Sequence, residues 1–265
     1  MKIGIVGCAG RMGQMLAREV LQTQGAQLAG GTERAGSDAI GHDIGEVVGF
    51  GKLGIAVSAS AEELFHHVDA VIDFTAPKAT LAHAKIAAQH NKILIIGTTG
   101  MTAEQQLEVA ESAQKARIVM APNFSLGVNL AMAIVERAAA VLDDSYDIEI
   151  VEMHHRHKVD APSGTALGLG RAAARGRDVQ LDKVACKSRD GDVGARPRGE
   201  IGFATLRGGD VVGDHTVVFA ADGERFEITH KASSRQIFAK GAVRAALWCK
   251  GKHHGLYTMK DVLGL

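Results

Sequence analysis

The stretch Lys2-Ile3-Gly4-Ile5-Val6-Gly7-Cys8-Ala9-Gly10-Arg11-Met12-Gly13 decides the fold. A short apolar strand runs into a glycine turn, and a helical pattern follows over residues 14–21. Gly7 permits the sharp turn, Gly10 lets the backbone approach a pyrophosphate, and Gly13 lets helix and strand pack closely. Phosphates bound there sit at a helix N-terminus, where unpaired N–H groups and the helix dipole favour negative charge. The spacing is GxxGxxG rather than GxGxxG, so the neighbouring residues carry part of the argument.

Those neighbours support a dinucleotide. After the apolar-leaning run 26–31, Glu33 and Arg34 stand at the predicted end of the second strand, about twenty residues past Gly13. Glu33 can accept from ribose hydroxyls and Arg34 can face a 2′-phosphate, a pair that suits both NADH and NADPH. Further strand and helix units follow. Residues 70–75 read as a buried strand and 79–89 as a helix; 93–96 read as a strand ending in Gly97-Thr98-Thr99-Gly100. A helix over 103–115 then leads to a strand at 118–120 and to Ala121-Pro122-Asn123-Phe124. Strands alternating with helices predict a parallel, doubly wound Rossmann-type sheet, whose ligands bind beyond the carboxyl ends of the strands. Phe74-Thr75, Gly97-Thr98-Thr99 and Ala121 to Phe124 lie at such ends.

Beyond Asn123 the order changes. A long Ala-rich helix over 127–142 precedes a strand over 146–152 with one wet face. A helix opens at Ser163-Gly164-Thr165, and 176–200 form a Gly- and charge-rich connection of the kind that is functional or mobile. Strands over 201–206, 211–220 and 225–230 and a helix over 236–250 complete the chain. The expected architecture is α/β, with a dinucleotide-binding domain of residues 1–125 completed by 236–265. A second α+β domain with an open mixed sheet spans 126–235.

Composition bounds the function. The 265 residues are 46% hydrophobic but only 4% aromatic, so aliphatic side chains must fill the core. Thirty Lys and Arg balance thirty Asp and Glu, which argues against nucleic acid or an anionic membrane as the partner. Cys8, Cys186 and Cys249 are odd in number and lack CxxC spacing, so neither a disulfide framework nor a zinc cluster is suggested and a reducing cytoplasm fits. Too few residues precede Cys8 for a signal peptide, and no run reaches membrane-spanning length.

The chemistry concentrates in Glu152-Met153-His154-His155-Arg156-His157-Lys158-Val159-Asp160-Ala161-Pro162-Ser163-Gly164-Thr165-Ala166. Neighbours on an extended segment point to opposite faces, so His154 and His155 diverge, and Lys158 can rejoin one of them where the strand breaks. Histidine titrates near neutrality and a lysine among cations can be pushed down toward it, so both types suit proton donation. Gly164, Thr165 and the helix start offer donors to a carboxylate, which makes a dicarboxylate the natural guest. A metal held by His154, His155 and His157 is disfavoured for want of a partner carboxylate at helical spacing. Arg156 and His157 read as surface residues.

This segment, with Asp-Phe-Thr at 73–75, Gly-Thr-Thr-Gly at 97–100, Pro-Asn-Phe-Ser at 122–125, the run 207–217 and Ile-Thr-His-Lys-Ala-Ser-Ser-Arg at 228–235, resembles the 4-hydroxy-tetrahydrodipicolinate reductase family of lysine biosynthesis, long called dihydrodipicolinate reductase. The resemblance covers nearly the whole chain. It implies NADH or NADPH contacts at Gly7, Cys8, Ala9, Gly10, Arg11, Met12, Glu33, Arg34, Gly97, Thr98, Thr99, Ala121, Pro122, Asn123 and Phe124, with Arg235 and Phe238 near the cofactor. It implies His154 and Lys158 as proton donors and His155, Gly164 and Thr165 as contacts to a small cyclic dicarboxylate. It also implies a cytoplasmic homotetramer joined through the second sheet, no metal, and hinges near 125–128 and 235–240. Thr258 and Lys260 depart from the Asp and Arg often found there in the family. Two alternatives remain at this level: a dehydrogenase of another small acid, and a non-catalytic NAD(P)H sensor, which needs no acid pair.

Overall fold

The structure, a computed structural model, describes residues 1–265 and divides into two compact units, Met1–Ser125 with Gln236–Gly264, and Leu126–Arg235 with Leu265. In chain order the first unit contains β1 (Lys2–Val6), α1 (Arg11–Gln22), β2 (Gln27–Thr32), α2 (Ile44–Val47), α3 (Ala61–His67), β3 (Ala70–Asp73), α4 (Pro77–Gln89), β4 (Ile93–Ile96), α5 (Ala103–Ser112) and β5 (Arg117–Met120). The second unit holds α6 (Leu126–Val141), β6 (Asp147–His154), α7 (Gly164–Gly176), α8 (Leu181–Val184), β7 (Ala185–Cys186), β8 (Ile201–Arg207), β9 (Gly213–Ala221) and β10 (Glu224–Ala232). The chain then returns to the first unit with α9 (Gln236–Trp248), β11 (Gly255–Tyr257) and α10 (Met259–Leu263).

The first sheet runs β2-β1-β3-β4-β5-β11, every neighbouring pair parallel. Its strands are short and apolar on both sides, with β3 and β4 buried at every position, as a sheet covered on both faces requires. Helices α1 and α9 pack together, α9 also meeting β3 and β4, while α3, α4 and α5 pack in series. The strand order reverses at β1, from which the chain goes first to β2 and then back past β1 to β3. The glycine turn after β1 therefore stands at the switch point, where such sheets bind their ligands.

Local chemistry moves several boundaries from those the periodicity predicts. The strand over 70–75 stops at Asp73 because its carboxylate accepts from the Thr75 N–H and hydroxyl, turning the chain. Helix α4 begins at Pro77 rather than 79, since proline suits a first helical position. Helix α5 ends at Ser112, three residues early, although its start is fixed by a reciprocal capping box between Thr102 and Gln105. The connection 33–69 carries α2 and α3, whose placement rests on loop chemistry: the Asp43 carboxylate accepts from the N–H groups of Gly45, Leu53, Gly54 and Ile55. Helix α9 buries Ala239, Ala242, Val243, Ala245 and Ala246 but leaves Phe238 and Trp248 half-buried, Trp248 with the Tyr257 ring at its edge and Lys252 over its face.

The second sheet is mixed, in the order β10-β9-β6-β8-β7, with β9 antiparallel to both neighbours and β6, β8 and β7 parallel. Strand β6 alternates without a break, its even-numbered residues buried. Ile148 and Ile150 face Val135 and Ala139 of α6, Leu169 and Ala173 of α7, and Phe203, Val217 and Phe219 of the flanking strands. The connection 176–200 is not wholly irregular: it contains α8 and β7. Its remainder is pinned to the sheet, Arg189 bonding Glu149 and Glu200 while Arg196 bonds Asp147 and Glu149. No helix is long and apolar enough to cross a membrane.

Candidate active site

On the second unit the buried face of β6 changes character along its length. Ile148 and Ile150 are apolar; Glu152 and His154, the next two residues on that face, are polar and remain buried at 1% and 8% exposure. A buried carboxylate is stable only when its oxygens are satisfied. Here four donors meet it. Arg207 of β8 reaches one oxygen through Nη1 at 2.8 Å and the other through Nη2 at 2.9 Å, the Ser163 N–H donates at 2.9 Å, and His154 Nδ1 lies at 2.5 Å. Burial alone would raise the Glu152 pKa, but Arg207, His154 and the Ser163 N–H outweigh it, and the group is held below its ordinary value. His154 is displaced downward, first by burial and then by the charges of Lys158 and Arg207, against an upward pull from Glu152.

Ser163 joins this group to α7. Its hydroxyl caps the helix by accepting from the Ala166 N–H at 3.1 Å and lies 3.0 Å from His215 Nε2. His215 sits edge-on to the His154 ring, with centroids 5.0 Å apart, and burial together with the nearby His154 pushes its pKa down to about 4. Gly164 and Thr165 form the first turn of α7, and around Gly164 there is open space. Their backbone thus opens a helix start that carries no acidic residue.

His155 and Lys158 follow different paths. His155 stands just past the end of β6 and is half-buried. Its N–H donates to the Val211 carbonyl at 2.7 Å, and Arg235 Nη2 lies 3.3 Å from its Nε2. Since arginine can only donate, Nε2 is the acceptor and Nδ1 carries a hydrogen; that atom is buried and has no protein partner. Lys158 is paired with Asp160 at 2.8 Å. The three histidines do not converge as a metal set: His154 points to Glu152, and the His155 and His157 rings are 6.2 Å apart.

On the first unit the predicted cofactor residues fall into two groups. Gly7 adopts a positive φ of 66°, and a Cβ on Gly13 would stand 2.0 Å from the Gly7 carbonyl, so both positions require glycine. Gly10 begins α1 without a side-chain cap, and no acidic residue occupies the first turn. The Glu33 carboxylate, at the end of β2, accepts from the Ala9 N–H at 2.9 Å, which places it on the glycine turn as the spacing predicts. Arg34 beside it is exposed. This turn fits a dinucleotide: it leaves no room for side chains where a pyrophosphate lies against the backbone, and it puts an acid within reach of a ribose.

The other group has its side chains turned inward. Cys8 is fully buried, its thiol pushed up to about 12 chiefly by burial, and Phe124 is 1% exposed against Phe74. The Thr98 hydroxyl receives bonds from Thr75 N–H and Thr80 Oγ1 beside the wholly buried Asp73, which also holds His83 Nδ1 at 2.8 Å. At Cys8, Thr98 and Phe124 only the backbone is offered to a ligand. Gly97, Thr99, Pro122 and Asn123 occupy the same strand ends, Thr99 and Pro122 exposed, and the Asn123 carboxamide turns its loop by accepting from the Ser125 N–H. Glu152, Arg207, His215 and the Asp73–His83 pair had no assigned role in the sequence, although the spacing of Glu152 two residues before His154 already placed both on one face of a strand.

A Rossmann unit with a glycine turn, joined in one chain to a unit carrying a buried cluster of titratable groups, is that of an oxidoreductase that uses NADH or NADPH. Two family descriptions match the chain, "Dihydrodipicolinate reductase, N-terminus" over residues 1–124 and "Dihydrodipicolinate reductase, C-terminus" over 127–263. The 4-hydroxy-tetrahydrodipicolinate reductase of Ruegeria pomeroyi is 56% identical over 263 residues, 99% of this chain and 98% of the relative, and that of Magnetococcus marinus is 52% identical over the same span. A dipicolinate-bound dihydrodipicolinate reductase from Paenisporosarcina sp. TG-14 superposes with a TM-score of 0.77 at 26% identity, covering 97% of each chain. The chain belongs to the dihydrodipicolinate reductase family and is a reductase of lysine biosynthesis.

Proposed function

We propose that the protein reduces 4-hydroxy-tetrahydrodipicolinate to tetrahydrodipicolinate, with loss of the 4-hydroxyl as water. The observation that carries this reading is the buried Glu152–His154 pair beside the opening turn of α7, a proton carrier set against a carboxylate-binding helix start. Loss of water leaves a conjugated cyclic imine. When bound, the reduced nicotinamide supplies a hydride, which adds at C4; the electron pair displaced toward the ring nitrogen is taken up by one proton. His154 gives that proton, with Lys158 the second candidate.

The residues around the acid hold the substrate. His155, with an unpaired Nδ1–H, and the backbone of Gly164 and Thr165 bind the two carboxylates. The glycine turn, Glu33 and the strand ends at Gly97–Thr99 and Ala121–Phe124 hold the dinucleotide, with Arg34 beside the adenosine ribose. The assembly is a homotetramer built on the outward face of the second sheet, a reading supported by the apolar Val151, Met153, Ala204, Leu206 and Val218 on that face, of which Leu206 is 50% exposed.

The test generates the labile substrate enzymatically from pyruvate and aspartate semialdehyde and follows nicotinamide oxidation. Wild type is expected to consume NADH or NADPH, and His154→Gln to lose about 100-fold or more in kcat with its cofactor affinity kept. No oxidation of either nucleotide by the wild type would overturn the assignment. Sedimentation gives the oligomer: a tetramer is expected, and a monomer at micromolar concentration would refute that part.

A further inference from the structure

We propose that Glu152, clamped by Arg207, is a positioning residue that fixes the tautomer of His154, so that Nε2 is the atom through which the transferred proton passes, and that Gly213 keeps that atom clear. The inference rests on the proposed function, in which His154 is the acid.

Four groups point at the two Glu152 oxygens: Arg207 Nη1, Arg207 Nη2, the Ser163 N–H and His154 Nδ1. The first three can only donate. An ionised carboxylate accepts from all of them and has no proton to give, so His154 Nδ1 must also be the donor. The bidentate Arg207 contact keeps the carboxylate ionised although water is excluded from it. Arg207 is itself anchored, Nη2 donating to the Asp160 carbonyl at 2.6 Å, so the clamp spans β6, β8 and the loop before α7. Neutral His154 is therefore the Nδ1–H tautomer with an open lone pair at Nε2. Protonation adds the mobile hydrogen there.

The surroundings of Nε2 agree. A Cβ on Gly213, the first residue of β9, would stand 2.9 Å from His154 Nε2 and 3.3 Å from Cδ2. Gly213 does not adopt a positive φ, so the backbone there accepts any residue and the constraint is the space beside the imidazole. The groups facing His154 are Glu152 on its own strand, Arg207 from β8, Lys158 from the following loop, His215 from β9 and Ser163 before α7. Of these only Glu152 carries negative charge, and it alone draws a proton onto the ring. An amide cannot replace it. Glu152→Gln would set an NH2 group against donors on one side, forcing either Arg207 or His154 out of register.

Nitrogen-15 NMR of histidine-labelled wild type tests the tautomer without any variant: His154 is expected to show a protonated Nδ1 and an unprotonated Nε2 above its titration. Kinetics test the role. Glu152→Gln is expected to lower kcat about 10- to 100-fold, to move the alkaline fall of the kcat profile to lower pH, and to leave KM for the nicotinamide unchanged. Glu152→Asp restores part of the loss because the charge returns. Gly213→Ala lowers kcat while the Nδ1–H signal stays as in wild type. A wild-type His154 protonated at Nε2 when neutral, or a Glu152→Gln pH profile superimposable on wild type, overturns the proposal. Failure of the wild type to turn over would instead count against the reductase reading, with the NMR result still deciding the tautomer.

Discussion

Glu152, Asp73 and Gly13 show how single residues are forced by what surrounds them. Glu152 and Asp73 are carboxylates that water scarcely reaches, at 1% and 0% exposure, and each is kept ionised by donors fixed on other strands or helices. Asp73 ties the loop at Thr75 to the one at Thr98, so a buried acid shapes two strand ends proposed to hold the cofactor. Gly13 acts through absence. A methyl there would meet the Gly7 carbonyl at 2.0 Å and Cys8 Cα at 2.7 Å, both rigid backbone. Gly13→Ala is expected to cost about 1–3 kcal/mol, as overpacking does, and to weaken nicotinamide binding. Urea unfolding and fluorescence titration measure the two effects. Wild-type values for both would show that α1 moves away from β1 freely.

Among the elements, α7 is the one whose start matters most. Ser163 caps it, and the same hydroxyl meets His215, so removing the oxygen should shorten the helix at the turn formed by Gly164 and Thr165. Ser163→Ala is predicted to lose about 1 kcal/mol in a urea melt and to raise the substrate KM more than the nicotinamide KM. An unchanged ratio of the two KM values would remove α7 from the substrate site. The elements also divide by how far sequence pattern revealed them. Strand β4 is a continuous apolar run, β3 is one up to Asp73, and β6 alternates along its whole length, so periodicity located all three. Helices α2 and α3 are short, and their segment is held by an Asp43 carboxylate that binds four backbone N–H groups, a tertiary device with no periodic signature. The edge strand β11 is three residues of Gly, Leu and Tyr, too short to carry a pattern.

At the scale of the whole molecule, charge is balanced and the acid response is set by buried histidines. His154, His215 and His230 are all lowered, burial being the first cause for each, and His215 reaches about 4. An unfolded chain binds protons on these rings from about pH 6.5, before the folded one does. Stability is therefore full above that pH and is lost as pH falls from 6.5 toward 4, by on the order of 3 kcal/mol for His215. Asp73, lowered by His83 and the Thr75 groups against the raising effect of its burial, adds its loss only below the ordinary carboxylate range. The thermal midpoint is expected to drop between pH 7 and 5, with a shallower slope in His215→Asn. A midpoint flat across that range would contradict the buried, neutral state of these rings.

The sequence carried both halves of the chemistry at this scale, since the glycine turn, Glu33 and the His-His to Ser-Gly-Thr run are contiguous or regularly spaced. It could not carry the groups assembled from distant strands, such as Arg207 and His215 beside Glu152, because no periodicity links residues 152, 207 and 215. The central claim, that hydride reaches the ring carbon of a cyclic dicarboxylate on this chain, is tested most directly with nicotinamide deuterated at the transferring position. With substrate formed in place from pyruvate and aspartate semialdehyde, NMR of the product is predicted to show one deuterium at C4 of the reduced ring. Product carrying no label at C4, or nucleotide left unoxidised, would contradict it.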